Sequence, residues 1–228
     1  AQAIADHPSP WMASVNQFLG LGGTGTTPGA FWAGVGFLSF SLMQFIASPI
    51  LGRMSDKVGR KPVLWMSLVG SAFGYLMLAL TSRFEWMLAA RILDGITGGN
   101  ISVAQAAMAD TSTPEERSKV LGMIGAAFGL GFVLGPAMAG ILSGSAFGHH
   151  LLATRGWHLP FFVAAGLSLL ASLMVLLWLP ETLTDEVRAR ARSHESRGHA
   201  LVKAMRIPGM AQLLLVSLLA MAGFAMME

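Results

Sequence analysis

The 228-residue sequence contains no cysteine, which excludes a disulfide framework, a catalytic thiolate and a cysteine-ligated metal. Charge is also scarce, because Lys, Arg, Asp and Glu make up only 12% of the residues, about half of the roughly 25% found in soluble domains. Hydrophobic residues, by contrast, make up 54%. So few charges cannot coat a soluble fold of this apolarity, and intrinsic disorder requires the opposite composition. The composition therefore indicates a polytopic membrane protein.

Six apolar segments are long enough to cross roughly 30 Å of hydrocarbon as helices. They cover about 31–51, 63–80, 86–109, 120–142, 161–179 and 210–227. Short polar linkers separate them, except for a longer, Arg-rich stretch at 180–208 that we expect to be a solvated connector. The sequence thus predicts an all-α, polytopic transmembrane helical bundle.

Lys and Arg are distributed asymmetrically between the linkers. Twelve lie in the linkers at 52–62, 110–119 and 180–208, whereas the opposite linkers hold only Arg83 and Arg155. The positive-inside rule assigns the first three linkers to the cytoplasm. Because the basic residues lie between apolar runs rather than in one stripe, the net charge of +3 does not indicate a nucleic-acid partner.

Residues 1–30 are then predicted to be an outside loop, since the first visible span must run inward. This stretch contains the letters GLGGTG at 20–25, which match the dinucleotide-binding pattern, but no strand precedes them and Asp56 is the first acid that follows. We therefore predict no cofactor. The chain begins with Ala rather than Met, so we expect either a removed signal peptide or a piece of a longer protein that lacks one preceding span, and we favour the piece.

The most specific motif is GRMSDKVGRKP at 52–62, between the first two spans. Gly52 and Gly59 permit close backbone approach or a positive φ angle. Asp56 can cap the amides of a helix N-terminus, and Arg60 holds the turn on the inner face. If this turn only set the membrane topology, its charges alone would suffice. The ordered pattern of glycines, Asp56 and basic residues therefore indicates a further role.

The third predicted span contains two ionisable residues, Arg91 and Asp94. An unpaired charge at membrane depth costs at least roughly 2.5–3.5 kcal/mol, so two of them need a reason. On a helix they share a stripe about 80° wide with Gly98, Ser102 and Gln105. The stripe is either a functional polar face or a local ion pair near the outer interface, and we favour the first.

Two weaker features leave more than one interpretation open. Ser41, Gln44 and Ser48 form a polar stripe on the first visible span, which either lines a cavity or hydrogen-bonds to a neighbouring helix. Histidines at 149, 150 and 158 lie in a predicted outside loop, but no acid or cysteine accompanies them. We therefore predict no metal site.

The fourth predicted span carries regularly spaced glycines. Gly125, Gly129, Pro136 and Gly140 fall on one face about 60° wide, which would give a smooth groove for another helix and a bend at the proline. Ordinary packing of small residues would explain the same pattern.

These motifs resemble those of the major facilitator superfamily. The pattern at 52–62 resembles the loop between its second and third helices, Arg91 resembles its fourth-helix arginine, and the glycines ending at Gly135-Pro136 resemble the fifth-helix signature of its drug:proton antiporter branch. Further pieces, such as LPET at 179–182, resemble tetracycline efflux proteins and their relatives.

The resemblance implies the major facilitator fold, with the visible spans as helices two to seven of twelve. The chain would comprise an outside loop (1–30), an N-terminal bundle of five spans (31–179), a cytoplasmic central loop (180–208) and the first span of the C-terminal bundle (209–228). The N-terminal half would lack its first helix.

The resemblance also implies roles for particular residues. Arg91, Asp94, Gln105 and Gln44 would couple transport to protons or line the substrate cavity. A cytoplasmic latch would be formed by Gly52, Asp56, Gly59, Arg60 and Asp110, and the antiporter helix would carry Gly125, Gly129, Gly135, Pro136 and Gly140.

The function that follows is transport, not enzymatic catalysis. We expect a proton-coupled antiporter in the cell (inner) membrane that exports amphipathic drugs such as tetracycline. Its partners would be a small amphipathic substrate, protons and the lipid bilayer, with no nucleic acid and no ATP-binding loop. The alternatives are a symporter or uniporter for a sugar or metabolite, and a non-transporting sensor or scaffold.

Overall fold

The computed structural model describes residues 10–19, 21, 28–113, 115–144, 158–183, 209, 212, 215 and 216. These residues form helices and no strand. In chain order the helices are α1 (Pro10–Phe18), α2 (Pro28–Val58), α3 (Arg60–Leu80), α4 (Phe84–Gly98), α5 (Ile101–Thr111), α6 (Arg117–Gly144) and α7 (Leu159–Trp178). All seven belong to one compact unit, Ala1–Thr184.

Four of these helices are long and apolar enough to cross a membrane: α2, α3, α6 and α7. They correspond to the first, second, fourth and fifth predicted spans. At 1.5 Å per residue the 31 residues of α2 extend about 46 Å, so its last turns project beyond the hydrocarbon. The sixth predicted span lies almost entirely outside the described residues.

The third predicted span, at 86–109, differs from the expectation of one continuous helix. The structure divides it into α4 and α5, with Gly99 and Asn100 between them. The amide of Asn100 donates to the carbonyl of Thr97 at 3.3 Å, which tightens the turn. Both junction residues keep right-handed helical angles, so the break is one tightened turn and not a reversal. Glycine and asparagine are weak helix formers, which explains its position.

Helix α4 lies between α2 and α3, and α7 packs along α3. The contact between α2 and α4 is a close backbone approach at two glycines. A Cβ atom at Gly95 would overlap the carbonyl oxygen of Phe40, and one at Gly99 would lie 2.8 Å from the amide nitrogen of Ser48. This is the small-xxx-small arrangement of membrane helix pairs, which the sequence patterns did not predict for Gly95 and Gly99.

Helix α1 lies at the end of the bundle opposite the 52–62 motif. It differs from the prediction, which was a loop over residues 1–30. Met12 is buried in a cluster with Trp32 and Phe84. The indole of Trp32 donates to Asn16 at 2.9 Å, and that of Trp11 donates to Glu85 of α4 at 3.1 Å. Helix α1 is therefore anchored to the ends of α2 and α4 by aromatic contacts.

Candidate functional site

Arg60 is the centre of a polar cluster at the inner end of the bundle. Its Nε donates to Asp110 Oδ2 at 3.0 Å, and its Nη1 lies 2.7 Å from Asp56 Oδ1 and 2.6 Å from Ser55 Oγ. Only 6% of the Arg60 side chain is exposed. Two carboxylates and a hydroxyl therefore satisfy a buried cation that alone would be very costly. The predicted association of Arg60 with Asp110 is present in the structure. Asp56 differs from the prediction, because it lies within α2 and pairs with Arg60, whereas Glu181 supplies the cap of α3.

Glu181 is a further member of this cluster, which the sequence motifs did not predict. Its Oε1 accepts from the backbone amide of Arg60 at 2.8 Å, and its Oε2 accepts from that of Lys61 at 3.2 Å. These amides belong to the first turn of α3 and have no partner within that helix. A carboxylate there caps the turn and complements the positive end of the helix dipole. The capping residue thus comes from the segment after α7, 121 positions along the chain from Arg60.

Gly59 makes this contact sterically possible. Its φ angle is +126°, and a Cβ atom there would lie 2.5 Å from Glu181 Oε2. Gly59 thus needs to be glycine for both its backbone angle and the space. Gly52, the other predicted glycine, lies within α2, and its carbonyl accepts from Ser55 Oγ at 2.8 Å.

The cluster joins the inner ends of several elements. It connects the α2–α3 turn, the end of α5 through Asp110, and the segment after α7 through Glu181. These come from the three linkers that the sequence assigns to the cytoplasm. We call the set Ser55, Asp56, Gly59, Arg60, Asp110 and Glu181 the inner-face latch.

The second polar region lies on α4, within the bundle. Arg91 Nη2 lies 3.3 Å from Asp94 Oδ2, and only 3% of the Asp94 side chain is exposed. The Arg91 guanidinium carbon is 5.7 Å from the centre of the Phe40 ring on α2, within cation–π range. Its Nε is buried and has no hydrogen-bond partner among the described residues. The local ion pair, which was the less favoured of the two interpretations from sequence, is therefore formed, with donor capacity left over on the arginine.

The residues of the predicted polar stripe on α4 and α5 face two different helices. Asp94 faces α3, where its Cβ lies in ordinary contact range of Gly74. The residues further along face α2: Gln44 Nε2 donates to the Gly98 carbonyl at 3.1 Å, and Ser102 Oγ donates to the Ser48 carbonyl at 3.1 Å. The stripe on α2 is thus hydrogen-bonded to the α4–α5 segment through the Gln44 amide and the Ser48 carbonyl. Both residues also line an open cavity.

An open cavity of about 900 Å³ lies between α2 and the α4–α5 junction. Its volume is within the usual range for small-molecule sites. Ser41, Gln44 and Gln105 supply polar groups to its wall, and Arg53 lies at its inner end. The side chain of Gln105 makes no hydrogen bond with the described residues and is exposed to this space.

The glycine face of α6 has no neighbour in the described part of the chain. A Cβ atom at Gly125, Gly129, Gly135 or Gly140 would meet no atom within 4 Å. Helix α6 continues through Pro136 to Gly144. The close helix approach predicted for this face therefore stays a prediction. Among the residues described, no group of three or more metal-ligating side chains occurs.

Several apolar helices of membrane length, packed as one bundle around a buried ion pair, define the class of polytopic membrane proteins. The sequence profile of the Major Facilitator Superfamily matches residues 9–228. The chain belongs to the major facilitator superfamily, whose members are transporters and not enzymes.

Relatives with sequence similarity include several tetracycline resistance proteins. The chain is 41% identical over 149 residues to the class B protein of Escherichia coli, covering 65% of this chain and 35% of that protein. It is 39% identical over 168 residues to the class D protein of Salmonella ordonez, covering 73% of this chain and 40% of that protein. The chain thus spans well under half the length of these relatives.

Among solved structures, the human organic anion transporter MFSD10 (TETRAN) matches with a TM-score of 0.61 and 31% sequence identity. The match covers 78% of this chain and 39% of that one. These similarities confirm the predicted all-α major facilitator fold, the resemblance to tetracycline efflux proteins and the multi-pass membrane location. The division into domains and the roles of individual residues stay predictions.

Proposed function

We propose that the protein is a secondary active transporter that exports amphipathic drugs such as tetracycline in exchange for protons. The observation that carries this proposal is the Arg91–Asp94 ion pair, which lies within the bundle on α4, the helix whose end at Gly98 lines the open cavity. A buried ion pair is weak evidence for stability, but ionisable groups at membrane depth usually mark transport or proton pathways. The similarity to tetracycline resistance proteins supports the same conclusion.

Asp94 is the proposed proton carrier. Its carboxylate is nearly inaccessible and lies between Arg91, at 3.3 Å, and the Ser71 side chain of α3, which hydrogen-bonds to it. A proton bound to the carboxylate removes its charge and releases the guanidinium of Arg91, which then needs another acceptor because its Nε is already unpartnered within the described residues. Protonation of Asp94 thus leaves the Arg91 charge uncompensated on the side of α4 that faces Phe40 of α2.

The inner-face latch is the proposed gate of the cytoplasmic side. Its buried arginine is satisfied only while the ends of α2, α3 and α5 remain together. Opening must therefore separate charged groups at a considerable cost, which favours two discrete states over a continuous motion. The glycine-rich helix α6, with its proline at 136, would supply the bend and the close seal against the rest of the transporter.

The test is tetracycline accumulation in cells that express the complete gene with single substitutions. Arg91→Ala and Asp94→Asn should raise accumulation to the level of cells without the transporter, since each removes one partner of the coupling pair. Arg83→Ala is the matched control, because it removes an exposed arginine near the start of α4 and should leave efflux intact. Normal efflux in both pair variants would refute the assignment.

A symporter or uniporter is the second candidate. The solved relative MFSD10 is named an organic anion transporter, so the substrates of relatives are not restricted to tetracycline. Cells expressing the complete gene would then take up a sugar or metabolite along a gradient and show no drug resistance. Resistance without such uptake would exclude this candidate.

A further inference from the structure

We infer that the cavity between α2 and the α4–α5 junction selects elongated amphipathic anions, with Arg53 binding their acidic group. The inference rests on the proposed transport function and adds the charge and shape of the substrate. It depends on three observations: the charges on the cavity wall, the free donors of Arg53 and the spacing of the polar groups.

The cavity wall carries positive charge only. Among the described residues that line it, Arg53 is charged and all the others are neutral. The nearby carboxylates are engaged elsewhere, because Asp56 and Asp110 contact Arg60, and Asp94 contacts Arg91. A cationic substrate would therefore meet an uncompensated positive charge at the inner end, whereas an anion would be stabilised there.

Arg53 is oriented for this role by its own helix. Its Nε donates to the Pro49 carbonyl one turn earlier at 3.2 Å, which holds the side chain along α2. Its Nη groups have no partner among the described residues, and the side chain is exposed. Two neighbouring N–H groups on a planar guanidinium match the two oxygens of a carboxylate or sulfonate. Lys57, one turn further on, does not line the cavity.

The spacing of the polar groups sets the length of the substrate. Gln44 and Arg53 are nine residues apart on α2, which corresponds to about 14 Å along the helix. The wall between them is mainly apolar, with Phe45 and Ile50 on α2 and Ile101 on α5. Gln105 faces the same space from α5. The cavity thus fits a molecule about three fused rings long, with hydrogen-bonding groups at one end and an acidic group at the other.

The test compares two dyes that share a three-ring xanthene skeleton and differ in charge: anionic fluorescein and cationic rhodamine 123. Efflux rates are measured from preloaded cells that express the complete gene, unsubstituted or carrying Arg53→Gln, Arg53→Lys or Lys57→Gln. Fluorescein should be exported in preference to rhodamine 123. Arg53→Gln should lower fluorescein efflux at low dye concentration about tenfold or more, since a charged hydrogen bond is lost. Arg53→Lys should lose less, because it keeps the charge.

The controls separate substrate binding from gating. Lys57→Gln removes one positive charge from the same inner turn and should leave the efflux of both dyes unchanged. Tetracycline efflux is measured in parallel as the readout of the proposed function. Equal loss of both dyes in Arg53→Gln, or export of rhodamine 123 in preference to fluorescein, would overturn the inference. Export of tetracycline without fluorescein would also overturn it and leave the proposed function standing, whereas absence of all export would overturn both.

Discussion

Gly59 and Glu181 together complete the inner-face latch. The carboxylate of Glu181 caps the first turn of α3 only because no side chain stands at Gly59, where the φ angle is +126°. The backbone amide of Arg60 donates to Glu181, and its guanidinium forms ion pairs with Asp56 and Asp110. A single change at Gly59 should therefore disturb the backbone, the cap and the ion pairs at once.

Gly59→Ala should destabilise the protein measurably. The substitution forces a strained φ angle, at a cost of about 1–3 kcal/mol, and places a methyl group against Glu181. In a domain of this size each kcal/mol lowers the Tm by roughly 2–4 °C. The measurement is thermal unfolding of the purified protein in detergent. Gly34→Ala is the control, since a Cβ atom there meets nothing within 4 Å. Equal Tm values for the two variants would contradict the structural account of Gly59.

At this scale the sequence predicted part of the latch. The ordered motif at 52–62 identified Gly59 and Arg60, and the resemblance supplied Asp110 as a partner. Glu181 was not predicted because no local rule connects an acid after α7 with amides at the start of α3. Only the packing of α7 along α3 brings the two together.

The α4–α5 segment is the element on which the candidate site depends. Its position against α2 is fixed by backbone contact at Gly95 and Gly99, and hydrogen bonds from Gln44 and Ser102 flank the junction. In a membrane, such close approach replaces the hydrophobic effect as the source of helix association. The cavity wall is thus built by the same residues that hold the two helices together.

Gly99→Leu should separate α2 from α4. The new side chain would collide with the backbone of α2 at Ser48, and overpacking of this kind costs typically about 1–3 kcal/mol. The variant should show a lower Tm and a smaller monodisperse fraction in size-exclusion chromatography. Gly166→Leu is matched in size and introduces its side chain on the exposed face of α7, where nothing lies within 4 Å. If Gly99→Leu behaves like Gly166→Leu, the close approach is wrong.

Sequence periodicity predicted the existence of this element and its polar side, but it did not favour the Arg91–Asp94 ion pair that the structure shows. It did not predict the break at Gly99 and Asn100. The apolar composition continues through the break, and such composition indicates the length of a span but not where its helix is interrupted. Nor could periodicity say that Asp94 faces α3 while Gly98 faces α2. That information depends on which helices become neighbours, and composition does not encode it.

On the scale of the whole molecule, the distribution of Lys and Arg among the linkers predicts which end of the bundle faces the cytoplasm. The residues of the inner-face latch lie at one end of the bundle, and α1 lies at the other with its aromatic cluster. The four membrane-length helices were predicted well because long apolar runs are the strongest signal in the sequence. Helix α1 was predicted to be part of a loop, because a segment of nine uncharged residues with one anchoring aromatic side chain, Trp11, gives no clear helix signal.

The orientation can be tested by thiol labelling, since this chain has no native cysteine. Ser118→Cys introduces a thiol at the start of α6 on the predicted cytoplasmic side, and Ser82→Cys introduces one between α3 and α4 on the predicted outer side. Both positions are exposed. A membrane-impermeant maleimide added to intact cells should label Ser82→Cys alone, and both variants after permeabilisation. Labelling of Ser118→Cys in intact cells would show that the start of α6 lies outside the cell and would contradict the predicted orientation.

The most direct test of the central claim is proton movement driven by substrate. Everted membrane vesicles containing the complete protein are acidified inside by respiration, and the gradient is followed with a quenched acridine dye. Tetracycline should enter the vesicles and release protons, which restores the dye fluorescence, and Asp94→Asn should abolish this response. Tetracycline uptake that continues unchanged after nigericin and valinomycin have collapsed the gradients would contradict proton-coupled antiport.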